Sequence, residues 1–341
     1  MQFKVITNIK DFKNLENDWN LLFLKEKKYS IFQSFKFNYS SWEEDLGKLK
    51  NILSIVVIYI GCDIKAIFPF YIDKQLKLRF INDVHSDFCD YLSSIDIDID
   101  EIINKLKLQF PIKHIQLINL RSDTNTLINL KSDFNYNSFA EYSVLELEKG
   151  FFPDNILNYK SKQKTEFRRI LKINKEKTHH MINANNSDFP ISEINFLREK
   201  MISLGLRDKR FLCLSQLKII EKLFKDNKII LSIVKTSDRI HAISFLMKDS
   251  RQYLIWIDMY DDSKMVNLYN YISVITSLSS ESSVIINFGR GGYNYKLRNF
   301  LPEVLELYSI NIFTSKWQEY KFNIEERVFK ILKYLYNKII K

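Results

Sequence analysis

The alternation of apolar and polar residues predicts a strand, a helix and a β-hairpin in the first part of the chain. A β-branched run at 3–7 precedes a segment at 11–25, which Asp11 is placed to cap. In that segment apolar residues recur at helical spacing, at Leu15, Trp19, Leu22 and Phe23. Two further β-branched runs, at 52–60 and 64–72, are joined by turn residues at 61–63, as in a hairpin.

A hairpin of the same character recurs in the second half of the chain. The run ILSIV at 52–56 matches 230–234, so that Ile52 corresponds to Ile230. The returning run at 64–68 matches 240–244, where Ala66 corresponds to Ala242, and the second turn is therefore predicted to be slightly shorter than the first. This match either arises by chance among isoleucine-rich strands or indicates two copies of one α/β unit.

The boundary between the two units is predicted near Gly150, where the strand YSVLELE ends, which divides the chain into 1–149 and 150–341. The second unit is predicted to contain a basic helix, two more helices, the second hairpin, a strand ending at Tyr260, a fourth helix and a last strand. The helices are expected at 155–177, 193–204, 215–224 and 266–279, and the last strand at 284–288.

A basic amphipathic helix is predicted at the end of the chain, at 325–341. Its apolar residues fall on one side, at Val328, Leu332, Leu335 and Ile339. We expect this side to pack on the body of the protein, with attachment to a membrane surface as the alternative.

Composition narrows the class of protein. Of 341 residues, 46% are hydrophobic, which suits a large core in two domains and excludes a disordered chain. Cys62, Cys89 and Cys213 form no CxxC pair, which argues against a disulfide scaffold or a structural zinc. The longest apolar run, 52–60, is far shorter than the ~20 residues of a membrane-spanning helix, and no signal peptide is apparent. We therefore expect a soluble, cytoplasmic protein.

The net charge of +10 favours a polyanionic partner. Nucleic acid, a phosphate-bearing cofactor and an acidic membrane surface all fit this charge. A lysine-rich proteome is the alternative explanation, since lysine, isoleucine and asparagine are abundant throughout the chain.

A cluster of glycines is the most distinctive local feature. Three of the seven glycines fall within four residues, at 289, 291 and 292, and the pattern is neither GxxxxGK[ST] nor GxGxxG. Glycine permits positive φ and close backbone approach, and the planar fork of Arg290 between them can pair with a carboxylate or a phosphate. Two interpretations remain open: a tight turn with an internal salt bridge, or a ligand site that includes Tyr293, Tyr295 and Lys296.

The stretch NFGRGGYNYK at 287–296 resembles the D-F-x-R-G-x-x-x-Y-K signature of the acyltransferase family named for the cellulose-biosynthesis protein CelD. That family belongs to the GNAT superfamily and is related to Fem-type peptidyltransferases. Over most of the chain, further segments resemble its motifs in order: Trp19, 32–34, Trp42, 66–69, 86–91, 167–169, 238–242 and 258–261. Asn287 replaces the usual acid, and the usual Pro-Gly before the helix at 266–279 is missing.

The resemblance implies two tandem GNAT-like lobes, each a mixed, largely antiparallel sheet flanked by helices. It implies transfer of an acyl group from acetyl-CoA or another acyl-CoA to an amine, without a metal. The C-terminal lobe would hold CoA, with backbone N–H groups facing the pyrophosphate. The implied cofactor-binding residues are Ile257, Asp258, Met259, Met265, Val266 and Asn267. Because the Pro-Gly is missing, the identity of the thioester donor stays open.

The reaction implied by the resemblance needs a base for the amine, an oxyanion donor and an acid for the thiolate. The candidate catalytic residues are Asp87, Asp90, His85 and Tyr293, and the strand at 253–260 would supply the oxyanion donor. The candidate substrate-binding residues are Arg290, Lys296, Tyr91, Arg168 and Arg169. Turn capping by the aspartates, a surface position for His85 and a solvated helix face for the arginines are the alternatives.

A metal site at His179 and His180 is not expected, because adjacent histidines do not converge easily on one ion. The leading functional hypothesis is an N-acyltransferase acting on an amino sugar, possibly nucleotide-linked, in surface-polysaccharide biosynthesis. A Fem-type transferase that uses aminoacyl-tRNA is one alternative. A non-catalytic module that binds nucleic acid or a membrane surface is the other.

Overall fold

The computed structural model describes residues 1–26, 28–130, 136–249 and 252–339. Its strands are β1 (Gln2–Ile6), β2 (Ile52–Leu53), β3 (Ile55–Ile60), β4 (Asp63–Phe68), β5 (Phe70–Ile72), β6 (Lys77–Phe80), β7 (Leu92–Ser93), β8 (His114–Arg121), β9 (Tyr136–Leu147), β10 (Thr178–Ile182), β11 (Ile229–Lys235), β12 (Ile240–Lys248), β13 (Gln252–Tyr260), β14 (Val284–Arg290) and β15 (Glu303–Phe313). Its helices are α1 (Ile9–Asn14), α2 (Glu16–Lys25), α3 (Phe35–Glu44), α4 (Ile99–Gln109), α5 (Asn125–Ile128), α6 (Ser161–Ile173), α7 (Ile191–Ser203), α8 (Leu214–Lys225), α9 (Val266–Glu281), α10 (Asn294–Phe300) and α11 (Lys316–Ile339).

Both predicted hairpins are present and share one irregularity. In β3–β4, Ile58 pairs with Ala66 and the register then shifts. In β11–β12, Val234 pairs with Ala242 and the register shifts at the same point. The spacing along the chain that relates Ala66 to Ala242 also relates Ile58 to Val234. The predicted match of Ile52 with Ile230, and with it the shorter second turn, was therefore wrong: both strands repeat at one spacing, bulge included.

The strands form two sheets whose order joins the two halves of the chain. A four-stranded sheet has the order β1-β3-β4-β7, and an eleven-stranded sheet has the order β10-β11-β12-β13-β14-β9-β15-β8-β6-β5-β2. Strand β9 precedes Gly150, yet it pairs with β14 and β15, which follow it. Strand β15 in turn pairs with β8 of the first half. The division at 149/150 stays a prediction about the chain, while the eleven-stranded sheet is continuous across it.

Helices cover both faces of the large sheet in the C-terminal half. Apolar residues of α7 and α8 form one core with inward side chains of β11 to β13. Residues of α6, α9 and α10 form a second core on the opposite face. Two further cores lie in the first half, one beneath α4 and one beneath α1 to α3. The site described below lies on the α9 side of this sheet.

Three predicted helices differ from the observed ones. The helix at 11–25 is two helices that break at Leu15, and its N-cap is Asn8 rather than Asp11. The basic helix at 155–177 is limited to α6. The C-terminal helix α11 begins at Lys316, well before its predicted start at 325.

The prediction that the apolar side of α11 packs on the body is wrong. The ring of Phe322 contacts His114 and Phe313, with centroids 5.2 Å away from each. On the predicted apolar side, however, Val328, Leu332 and Leu335 are 48%, 59% and 47% exposed. The Ile339 side chain and residues 340 and 341 lie outside the described part of the chain.

Candidate active site

A gap opens between β13 and β14 in the large sheet. The two strands pair in parallel at only three positions, from Gln252↔Ile285 to Leu254↔Asn287. Past Leu254, β13 stays with β12, and a bulge at Trp256 changes its register. Strand β14 meanwhile remains with β9 as far as Arg290. The edge of β13 beyond Leu254 is therefore not paired with β14, and its backbone groups can face a ligand.

The glycine turn at the end of β14 brings Asp87 to this gap. Gly289 has φ +72°, and a Cβ added there would lie 2.6 Å from Asp87 Oδ2, so the close approach requires glycine. The Arg290 backbone N–H donates to the same oxygen at 3.1 Å. Burial raises the pKa of Asp87, and the Arg290 charge opposes the rise. The gap therefore contains a buried carboxyl group contributed by the N-terminal half.

The Arg290 side chain fastens a loop of the N-terminal half to the turn. Its guanidinium donates to Asn119 Oδ1 at 2.9 Å and to the Val84 carbonyl at 3.2 Å. The Asn119 amide donates in turn to the carbonyls of Asp83 and Ser86, both at 2.8 Å. Part of the arginine fork is thus occupied within the chain, by oxygens of an uncharged side chain and of the backbone.

Lys296 and two tyrosines surround Asp258 inside the gap. Lys296 is 4% exposed, and its Nζ donates to the Phe288 carbonyl. Burial lowers the pKa of Lys296, while the nearby Asp258 and Asp87 carboxylates oppose that change. The Tyr271 hydroxyl donates to Asp258 and lies 3.4 Å from the Tyr295 hydroxyl.

A row of polar side chains continues from Asp258 across the sheet beneath α9. Ser232, Ser244 and Asp258 face one another on β11, β12 and β13. Ser244 Oγ donates to Asp258 at 2.7 Å and accepts from Asn270 of α9 at 2.8 Å. Asn270 Oδ1 accepts from Ser232 Oγ at 2.5 Å, and Ser232 Oγ lies 2.9 Å from His179 Nε2. These bonds hold Asp258 in place from behind.

A cleft of about 650 Å³ lies next to this cluster, between α6, the start of α9, and α10. Lys162, Arg298 and Glu166 are its charged lining residues, two cations and one carboxylate, and Met265 and Tyr295 also line it. Helix α9 begins behind Met265 with no side-chain cap. The N-terminus of a helix attracts anions through its free amides and its dipole, so the cleft suits a phosphate-bearing ligand.

Asp90 and Tyr91, which were predicted to lie near Asp87, make contacts within the N-terminal half. Asp90 accepts from the backbone N–H groups of Asn125 and Thr126, at 2.8 and 3.0 Å, at the start of α5. Burial raises the pKa of Asp90 to about 6. Tyr91 is buried and stacks on Phe68 with centroids 4.1 Å apart.

His85 lies at the edge of the same loop as Asp87. Its Nδ1 is 3.2 Å from the Gln216 amide nitrogen, and its carbonyl accepts from Trp256 Nε1 at 3.1 Å. Burial lowers the pKa of His85. The structure therefore brings Asp87 and Lys296 to the gap, while Asp90 and Tyr91 are engaged elsewhere.

The remaining predicted residues lie around the cleft or away from it. Arg168 pairs with Asp154 at 3.2 Å, and Arg169 pairs with Glu166 and lies 3.0 Å from Met265 Sδ. Tyr293 is 53% exposed, and its ring lies 5.2 Å from Lys296 Nζ. Ile257 and Met259 point into the core on the α7 side, opposite Asp258. Val266 is buried, and Asn267 lies beside it in the first turn of α9.

Sequence reasoning overlooked Ser244, Asn270 and Tyr271 and left Tyr295 undecided. One pattern could have revealed the polar row. The apolar runs IILSIV, IHAISFL and YLIWIDMY each contain a polar residue, and pairing of the hairpin aligns Ser232, Ser244 and Asp258. Polar residues in strands covered on both faces need hydrogen-bond partners, which here come from α9.

Among the described residues, no group of three or more histidine, cysteine, aspartate or glutamate side chains could hold a metal ion. Within the same residues, no helix is both long and apolar enough to cross a membrane.

Comparison with known proteins identifies the fold. No protein-family model and no curated protein sequence matches the chain. Among solved structures, FemX matches with a TM-score of 0.61 and 10% identity, covering 94% of this chain and 99% of that one. The DUF2156 domain of a candidate lysylphosphatidylglycerol synthetase from Agrobacterium fabrum matches with a TM-score of 0.55 and 9% identity, covering 89% and 92% of the two chains. L-PGS from Bacillus licheniformis matches with a TM-score of 0.52 and 15% identity, covering 75% of this chain and 83% of that one.

These matches confirm the expected fold class, a mixed α/β protein of GNAT-like units whose largely antiparallel sheets are flanked by helices. The likeness extends over most of each chain. At this level of identity it defines the fold and leaves the reaction to be argued from the site.

Proposed function

We propose that the protein is an N-acyltransferase that moves an acyl group from acyl-CoA to an amine. The observation that carries the proposal is the gap between β13 and β14, where Asp87, Tyr295 and Lys296 lie beside a positively charged cleft. A thioester that reaches this gap would meet unpaired backbone groups of β13 and both acidic and basic side chains. The fold shared with FemX supports a transferase.

The donor would lie along the cleft. Its phosphates would face Lys162, Arg298 and the start of α9, which has no side-chain cap. Met265 and Asn267 would offer backbone N–H groups there, whereas the Val266 N–H already donates to the Ser263 carbonyl at 3.3 Å. Its acyl end would enter the gap, and a β13 N–H beyond Leu254 would stabilise the oxyanion of the tetrahedral intermediate.

Asp87 and Tyr295 are the proposed base and acid. Asp87 takes the proton of the attacking amine as the new C–N bond forms. The C–S bond then breaks, and the thiolate receives the Tyr295 proton. Burial, followed by the Asp258 charge, raises the pKa of Tyr295, so its hydroxyl stays protonated at neutral pH. The exposed Tyr293 is less well placed, and Lys296 counters negative charge in the gap.

The acceptor proposed is an amino sugar, possibly nucleotide-linked, in surface-polysaccharide biosynthesis. Only the resemblance to the CelD-type motifs supports this choice, and a cytoplasmic location is part of the same proposal. Aminoacyl transfer from a tRNA is the second candidate, because the fold also matches FemX and the lysylphosphatidylglycerol synthetase domain.

Calorimetric titration of the purified protein with acetyl-CoA and with free CoA tests the donor. We expect a Kd on the order of 1–100 μM, in the range of ordinary KM values. Lys162→Glu combined with Arg298→Glu should weaken binding more than tenfold, whereas Lys172→Glu, an exposed lysine of the same helix, should not. Absence of binding by either compound would reject CoA as the donor. Transfer from aminoacyl-tRNA would then be measured.

A further inference from the structure

Helix α11 carries an apolar stripe that the protein leaves uncovered. Its contacts to the body include the Phe322 ring, which meets Phe313 and His114. Seven large apolar side chains farther round the helix are between 43% and 72% exposed: Trp317, Tyr320, Ile324, Val328, Ile331, Leu332 and Leu335. Such a continuous exposed stripe is typical of a surface that meets another phase or molecule.

The seven residues share one side of the helix. Apart from the adjacent Ile331 and Leu332, they recur at intervals of three and four residues. On a helix of 3.6 residues per turn all seven lie within about 120° of one another. From Trp317 to Leu335 the stripe runs for roughly 27 Å at 1.5 Å per residue. Phe322 lies about 140° from the centre of the stripe, so contact with the body leaves the stripe free.

Lys316 and Arg327 border the stripe, and Lys321 lies within its angular range on the helix. Lys113, Lys316, Lys321 and Arg327 are exposed. With Lys77 and His114, Lys113 and Lys321 also line a cavity of about 350 Å³ beneath the helix. Glu319 and Glu325 are present as well, and Glu325 lies 3.8 Å from Lys321. Residues 316–341 contain seven lysines and arginines and three glutamates, so the segment has a net charge of +4.

We propose that α11 lies flat on an anionic membrane surface and attaches the protein there. A lipid surface accepts a broad one-sided stripe without a shape-matched groove, and aromatic residues such as Trp317 and Tyr320 favour the boundary between headgroups and acyl chains. Anionic headgroups complement the bordering cations. A second copy aligned in parallel would instead bring Lys321 and Arg327 beside the same cations.

Flotation of the full chain with lipid vesicles tests the proposal without reference to enzymatic activity. The probes are vesicles of phosphatidylcholine alone and of phosphatidylcholine with about one third phosphatidylglycerol. We expect the protein to float with the anionic vesicles and several-fold less with the neutral ones, because anionic headgroups attract the bordering cations. Flotation should decrease again when salt is raised, since salt screens this attraction.

Two double variants distinguish binding through the stripe from nonspecific adsorption to vesicles. Ile331→Glu with Leu332→Glu should lower the bound fraction more than tenfold without changing the melting temperature. Leu21→Glu with Leu24→Glu, on exposed leucines of α2 that are 63% and 77% accessible, should bind as the unchanged protein does.

Failure of the unchanged protein to float with anionic vesicles would overturn the proposal, as would equal flotation of the Ile331/Leu332 variant. A different result would be that the unchanged protein forms a dimer in light scattering and binds no vesicles. If the Ile331/Leu332 variant were then monomeric, the stripe would be assigned to contact with a second copy.

Discussion

Helices α4 and α9 precede β8 and β14 in the two halves of the molecule, yet they begin in opposite ways. Asp98 caps α4 by accepting from the amides of Asp100 and Glu101 at 3.0 and 3.3 Å, and both of those residues are acidic. Helix α9 begins behind Met265 with no side-chain cap and no acidic residue in its first turn. The N-terminal half thus supplies its own negative charge, while the C-terminal half leaves a helix start open to an external anion.

The short helices that follow differ in the same sense. Asp90 closes the start of α5, whereas α10 begins behind Tyr293 without a side-chain cap. Carboxylates of the chain thus occupy two helix starts in the N-terminal half, where the C-terminal half has two starts without side-chain caps. This difference supports one donor site, in the C-terminal half.

Among the substitutions that test this difference between the halves, Gly289→Ala should have the largest effect on stability. The new Cβ would meet Asp87 Oδ2 at 2.6 Å and Ile255 O at 3.2 Å, and φ is +72°. We expect the free energy of unfolding to fall by more than about 3 kcal/mol, because left-handed backbone strain adds to a clash with buried groups. The control is Gly61→Ala in the first hairpin, where φ is +61° and a Cβ meets nothing within 4 Å. It should cost about 1–2 kcal/mol. Urea unfolding compares the two, and equal costs would contradict the close approach at Asp87.

Tyr295→Phe should have the second-largest effect, in this case on the reaction rate. If Tyr295 protonates the leaving thiolate, its removal should lower kcat about 100-fold with little change in KM, and the alkaline limb of the pH–rate profile should change. Tyr293→Phe removes an exposed hydroxyl two residues away and should lower kcat less than threefold. If kcat fell more in Tyr293→Phe than in Tyr295→Phe, Tyr293 rather than Tyr295 would be assigned as the acid.

Asp90 makes a pH-dependent contribution to stability that the C-terminal half lacks at α10. Burial raises its pKa from 3.8 to about 6, so the folded state binds the proton more tightly than the unfolded state. The free energy of unfolding should therefore decrease as the pH rises from about 4 to 6, and this contribution should level off above that range. Asp90→Asn should flatten this part of the curve, measured by urea unfolding at each pH. Asp96→Asn, at an exposed position, should leave it unchanged.

Asn267→Asp should have the smallest effect on stability. An acid in the first turn of α9 should stabilise the helix by about 0.3–1 kcal/mol, as acids do at the start of α4. The same charge should weaken acetyl-CoA binding about tenfold by repelling its phosphates. Ser280→Asp at the far end of α9 is the control and should leave affinity unaltered. Unchanged affinity in Asn267→Asp would place the phosphates elsewhere.

Local patterns predicted most of the elements around the site. The second hairpin, the strand ending at Tyr260 and the helix after it were all predicted close to their observed bounds. Helical and strand periodicities are local properties, and long periodic segments reveal them reliably. The break at Leu15 and the exposed side of α11 were not predicted, because both depend on what the rest of the chain offers as a surface.

The sequence by itself determined that the chain is a basic α/β protein with a repeated hairpin and a glycine turn around Arg290. It could not separate Asp87 from Asp90, since both aspartates lie in one short loop. Tertiary structure decided that Asp87 meets Gly289 of the other half of the chain, whereas Asp90 caps α5. It also decided that the pairing of β14 with β13 ends at Asn287 while its pairing with β9 reaches Arg290, which opens the gap. The reason is physical: such contacts join residues far apart in the chain, and no local periodicity records which distant residue will supply a hydrogen-bond partner.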